Sequence, residues 1–148
     1  MGDPNSADVK ARTYRKQVAA TRNATMAAAA AQKALAGLLK SLPALVAVAI
    51  VQADTGDTLA HHSTAGSLNP ETAAAYNAEV VRQKQKALAA LQLTTESIDD
   101  ILISLTTQLH LIKLTADGSK FIYLVADARQ TSLAMAREAL RNSMEELE

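Results

Sequence analysis

The run IDDILISLTTQLHLIKLTADGSKFIYLVAD, from Ile98 to Asp127, decides the fold. It divides into three apolar segments, Ile101–Thr106, Leu109–Leu114 and Lys120–Ala126, rich in Ile, Leu, Thr, Tyr and Val. Such side chains suit a pleated, half-buried backbone. Asp117-Gly118, between the last two segments, supplies the residues that a tight hairpin turn demands. The stretch therefore predicts a three-stranded meander. Upstream, ALVAVAIVQA (Ala44–Ala53) is a nearly continuous apolar run, as expected of a strand covered on both faces. Asp54-Thr55-Gly56-Asp57 reads as a turn. Thr58–Thr64 is the shorter, more polar return strand, suited to a sheet edge.

Helices fill the rest. Ala7–Leu42 is dominated by strong helix formers, and Ala31, Leu35, Leu38, Leu39 and Leu42 give one apolar stripe ending at Pro43. Asn69-Pro70-Glu71 opens a second helix after a loop at 65–68: Asn69 caps the free amides, Pro70 fits the first helical position and Glu71 complements the dipole. That helix should reach about Leu91, with Ala73, Tyr76, Val80, Ala87, Leu88 and Leu91 along one side and Ala74, Ala78 and Val81 widening the stripe. A third helix is expected over Ser132–Leu147, with weak surface pairs from Glu138 and Glu145 to Arg141. The order helix, two strands, helix, three strands, helix predicts an α+β domain with a five-stranded, mainly antiparallel sheet flanked by helices. No internal repeat is present, and no heptad run is long enough to announce a coiled coil.

Composition narrows the function. The chain is 148 residues long, enough for one domain and short for two. With 3% aromatic residues against 49% hydrophobic, the core is built from Ala, Leu, Val and Ile, which favours close helix packing over a large ligand pocket. The absence of Cys excludes disulfides and thiol catalysis. A net charge of zero argues against a chain dominated by nucleic-acid binding. No apolar run reaches the roughly 20 residues needed to span a bilayer, and no signal peptide is visible, so the expectation is cytoplasmic. Gly2-Asp3-Pro4-Asn5-Ser6 resembles a cloning scar and Leu147-Glu148 the start of a tag junction. The expected division is 1–6 scar, 7–27 basic helical extension or arm, and 28–147 the domain.

No catalytic constellation emerges. His61 and His62 are adjacent and alternate faces in a strand, so they cannot share an ion there, and His110 reads as a surface or edge-strand residue. Asp99 and Asp100 also alternate faces and read as solvated charges; Asp54, Asp57 and Asp117 read as turn formers. No phosphate-binding loop, dinucleotide fingerprint or nucleophile elbow occurs. No enzyme activity, cofactor or metal is expected. The segment carrying Lys10, Arg12, Arg15, Lys16 and Arg22 is a solvated helical extension or a docking arm for an acidic partner.

LLKSLPALVAVAIV (Leu38–Val51) followed by DTGDTLA (Asp54–Ala60) resembles the opening of the roadblock / dynein light-chain domain, in which a helix leads into a strand, a D-x-G turn and a second strand. Ile101–Leu105, Leu109–Leu114, Asp117-Gly118 and Phe121–Val125 are similar to its second half, and Ser132–Arg137 to the start of its closing helix. The resemblance spans Gln32–Leu147. It implies a roadblock/profilin-like sandwich that forms homodimers, with sheets joined edge to edge and middle helices side by side. It also implies a non-catalytic regulator or platform for a small Ras-like GTPase or another NTPase. The alternatives are a nucleotide-independent scaffold of the dynein light-chain kind and a small-molecule sensor. Position along the chain places the dimer contact on Tyr76, Val80, Lys84, Ile101 and Ile103, and a partner contact on the middle helix or on Arg12, Arg15 and Lys16.

Overall fold

The helix formers and the Ala run carry the first helix of the computed structural model, α1, from Ser6 to Ser41 without a break. The structure describes residues 5–64, 66 and 68–148. Most of the expected cloning scar, and positions 65 and 67 of the expected loop, lie outside the described residues. Leu42 leaves the helix in extended geometry, φ −126° and ψ 90°, as a following proline demands. Then come β1 (Leu45–Gln52), β2 (Thr58–Ser63), α2 (Pro70–Ala90), β3 (Asp100–Ser104), β4 (Gln108–Leu114), β5 (Lys120–Asp127) and α3 (Leu133–Met144).

Local chemistry sets these boundaries. The Asn69 side chain accepts from the amides of Glu71 at 2.9 Å and Thr72 at 3.2 Å, opening α2. Ser132 Oγ accepts from Met135 N at 3.1 Å, opening α3. Gly56 and Gly118 adopt φ of +76° and +73° in the β1–β2 and β4–β5 turns, a region that residues with a Cβ rarely occupy. In the second turn, the Asp117 carboxylate accepts from the backbone amide and hydroxyl of Ser119 and from the Thr115 hydroxyl. These bonds lower its pKa to about 2. The third helix stops at Met144, three residues short of the expected end, although Leu147 is still buried.

The five strands form one sheet in the order β2-β1-β5-β4-β3, every neighbouring pair antiparallel. The hairpin and the meander thus join through β1 and β5, which lie at the centre. On one face, Ala31, Ala34, Leu35 and Leu38 of α1 and Ala136, Leu140 and Met144 of α3 pack on Val48, Ile50, Leu111, Ile122 and Leu124. On the other, Ala74, Ala78 and Val81 of α2 pack on Ala47, Ala49, Val51, Phe121 and Tyr123.

The structure corrects several sequence expectations here. The side of α2 that meets the sheet is the small-residue line Ala74, Ala78 and Val81, each fully buried; the stripe with larger side chains lies on its flank. Asp99 is a solvated charge as expected, although it also pairs with Lys113, whereas Asp100 is largely buried and accepts from Arg137 Nε at 2.8 Å. Among the described residues, Arg141 pairs with neither Glu138 nor Glu145.

The Ala contacts let α2 approach the sheet closely, so Ala78→Leu should overpack this layer. We expect the free energy of unfolding to fall by about 1–3 kcal/mol, measured by urea denaturation. An unchanged midpoint would contradict the packing.

Candidate interaction face

Two helices cover one face of the sheet and one covers the other. Five strands spaced about 4.8 Å apart span roughly 19 Å between the outer strand axes, whereas a helix with its side chains is about 10–12 Å across. α2 lies over β1 and β2. Beyond α2, Ile112 and Leu114 of β4 remain buried in the same layer, and the face is uncovered only toward its β3 end, at Ile103 and beside the half-buried Gln108 and His110 of β4.

The register shows which side chains occupy it. Ile101 lies opposite Ile112, and Ile103 opposite His110. Ile112 belongs to the core layer beneath α2, so by alternation Ile101, Ile103 and His110 share that face. Ile101 is half-buried, and Ile103 is 38% exposed. Leu102 opposes Leu111 and therefore faces the α1–α3 side. Because β3 ends the sheet, its outer backbone edge has no strand neighbour. Leu105, just beyond it, is 49% exposed.

The flank of α2 supplies a wall. Tyr76, Val80, Lys84, Ala87 and Leu91 recur at helical spacing on one side. Tyr76 is 74% exposed, Leu91 is 68% exposed, Lys84 is exposed and Val80 is half-buried. Val80 and Ile101 both pack against the core layer under α2. The structure therefore sets Tyr76, Val80 and Lys84 on α2 over the same layer whose β3 end carries Ile101 and Ile103. Arg12, Arg15 and Lys16 are not part of this face. They lie on the exposed N-terminal half of α1, which packs on the opposite side of the sheet only further along, from Ala31 onward.

A polar relay missed in the sequence crosses the floor. His110 is not an edge residue: it sits on β4, half-buried. Its Nε2 lies 2.9 Å from Gln108 Oε1, and its Nδ1 lies 2.8 Å from the Tyr123 hydroxyl. Gln108 Oε1 can only accept, which fixes the proton on Nε2 and leaves Nδ1 to accept from Tyr123. The Asn77 side chain of α2 hydrogen-bonds Tyr123. The relay thus runs Asn77, Tyr123, His110, Gln108, tying α2 to β5 and β4. Burial pushes the Tyr123 phenol up, with Asn77 pulling the other way, and burial pulls the His110 imidazole down. The alternation of Gln108, His110 and Ile112 in β4 was the one signal in the sequence; the partners come from other elements.

The arrangement presents apolar contact surface and backbone edge rather than reacting groups. Among the described residues no cluster of His, Cys, Asp and Glu is placed to hold a metal ion. Among the described residues no helix is long and apolar enough to cross a membrane.

No protein-family model matches the sequence, and no curated protein does. Solved structures do match. MglB of Myxococcus xanthus superposes with a TM-score of 0.64 at 14% identity, over 84% of this chain and 86% of that one. A Roadblock/LC7 domain from Streptomyces avermitilis gives 0.63 at 14% identity, over 74% and 88%. The gliding protein MglB of Thermus thermophilus gives 0.62 at 17% identity, over 80% and 88%. At these identities the likeness is one of fold, and the fold is that of the Roadblock/LC7 domain, as the sequence resemblance implied.

Burial of His110 makes stability pH-dependent with a definite sign. The folded pKa of His110 lies below the unfolded value of about 6.5, so the unfolded chain binds more protons as the pH falls through that value. Stability contributed by the neutral imidazole is present above about pH 6.5 and is lost below it. Between about pH 7.5 and pH 5.5, His110→Gln should lose less stability than the parent, measured by urea denaturation. Equal losses would show that burial does not hold the His110 imidazole neutral.

Proposed function

We propose that the chain is a cytoplasmic homodimeric regulator, without chemistry of its own, that binds a small Ras-like GTPase. The observation that carries this reading is the unpaired edge of β3 with Ile103 exposed beside it, next to the flank of α2, on a Roadblock/LC7 fold. A second copy is the simplest object that covers it. A two-fold axis beside β3 would pair the two edges and bring each α2 toward the other, with Tyr76, Val80, Lys84, Ile101 and Ile103 at the contact. This is the arrangement the family resemblance implies. Each large aliphatic side chain buried is worth about 1.5–3 kcal/mol, enough for a few of them to support association.

The GTPase partner follows from the same resemblance, whose bacterial and archaeal members often pair with a small Ras-like GTPase. The structural likeness to the MglB proteins supports a regulatory role. A regulator of this kind needs no arginine finger, since it can act by reshaping the nucleotide site of its partner.

Sedimentation tests the first step. The parent chain should run as a dimer at micromolar concentration, and Ile103→Lys should weaken the dimer by about a hundredfold or more, the effect of an unpaired charge at an apolar contact. A parent that runs as a monomer would overturn it. Pull-down with candidate GTPases from the same genome, loaded with GDP or a GTP analogue, tests the second. Binding in one nucleotide state supports regulation; equal binding in both favours the scaffold; binding in neither rejects the GTPase.

A further inference from the structure

Among the described residues nothing covers the N-terminal half of α1. Residues 6–26 are exposed throughout, and at 1.5 Å per residue they make roughly 30 Å of bare helix. Because the helix is unbroken, its phase can be followed along this length. Ala7, Ala11, Tyr14, Val18, Thr21 and Thr25 fall at alternating spacings of four and three, the seam of a coiled-coil helix. Tyr14 and Val18 are its two large apolar members, 67% and 40% exposed. The Thr hydroxyls in the seam are already satisfied: Thr21 donates to Gln17 O and Thr25 to Thr21 O, both at 3.0 Å. The sequence alone showed no heptad run, since its members are mostly small and only the bare, continuous helix gives them a common side.

The surface beside this seam is hollowed as a partner helix requires. One shallow hollow is bounded by Tyr14, Gln17, Val18, Thr21 and Arg22. The first four are the residues that surround an inserted knob when Val18 and Tyr14 take the a and d positions. A second lies on the other side, among Tyr14, Arg15, Val18 and Arg22.

Charge selects the occupant. In this register Lys10, Arg15 and Arg22 flank the seam, with Asp8 the one acid among the flanking positions. None of Lys10, Arg12, Arg15, Lys16 and Arg22 has an ion-pair partner among the described residues. Pairing with the arm of another copy would set Lys10 against Arg15, or Arg15 against itself, and like charges at these positions work against self-association. We propose that the arm is a docking helix for an α-helix of a different protein, one that carries an apolar seam flanked by Glu and Asp. The site lies apart from β3 and α2, so it stands or falls independently of the dimer.

The seam is thin, which makes the flanking charges decisive for affinity and gives binding a strong dependence on salt. The test titrates the full chain with a synthetic acidic helix of about four heptads, with Leu and Ala in the seam and Glu at the flanks, and with the same peptide carrying Lys at the flanks. We expect the acidic peptide to bind with a Kd in the micromolar range and the Lys peptide not to bind. Affinity should drop about tenfold or more on raising salt from about 50 to 500 mM, and by a similar factor in Val18→Ser and in Tyr14→Ser. The double change Arg15→Glu with Arg22→Glu should transfer preference to the Lys peptide. Circular dichroism checks that each variant keeps its helix. Failure of the acidic peptide to bind, or binding indifferent to Val18→Ser and Tyr14→Ser, overturns the proposal. So does tighter binding of the arm to phosphatidylserine–phosphatidylcholine vesicles or to duplex DNA, which would make it a lipid or nucleic-acid contact.

Discussion

A five-stranded sheet is wider than one helix, and much of this molecule follows from that mismatch. On the α1–α3 side two helices match the width, and the core there is continuous from Ala60 of β2 to Leu111 of β4. On the α2 side a single helix settles over β1 and β2, where Ala74 and Ala78 let it approach closely. What remains on that side is an uncovered end at Ile103 of β3 and the half-buried Gln108 and His110 of β4, beside a strand edge with no neighbour among the described residues. Because apolar area exposed to water is unfavourable at about 25 cal/mol per Å², the uncovered side chains favour association.

The layer leading to this end is not uniformly apolar. His110 and Gln108 on β4, Tyr123 on β5 and Asn77 on α2 form a hydrogen-bonded line through it. A buried polar group without a partner costs about 1–3 kcal/mol, so such a line restricts the ways in which α2 can sit on the sheet. It also brings a titratable imidazole to the face we assign to the second copy. The opposite edge has a more polar character: His61 of β2 lies 3.2 Å from Glu71 of α2. The two ends of the sheet are therefore different surfaces, one apolar beside β3 and one polar beside β2.

Much of this architecture was legible in the sequence because the punctuation is local. Pro43, Asp54-Thr55-Gly56, Asn69-Pro70, Asp117-Gly118 and Ser132 each act on their own neighbours, and the elements start or stop within a residue or two of them. The alternation in β3 and β4 and the helical spacing of Tyr76, Val80 and Lys84 could be read in the same way. What could not be read was how α2 is turned on its axis. Its apolar residues cover more than half its circumference, so spacing alone could not choose between the Ala74–Ala78 line and the Tyr76–Val80 flank. The partners of Asp99, Asp100 and His110 were hidden for a related reason: Lys113, Arg137 and Tyr123 reach them only after the sheet and α3 have assembled. The seam on α1 was hidden by its small side chains, which carry little signal until the helix is seen to run bare.

The central claim is that the free edge of β3 is sealed by another copy of the chain. Hydrogen exchange of the β3 amides, followed as protein concentration is lowered, tests it most directly. The account predicts that amides of Ile101–Ser104 not bonded to β4 are protected at high concentration and lose protection together on dilution, while those of β1 and β5 stay unchanged. Exchange of these β3 amides at an unprotected rate at every concentration would contradict it.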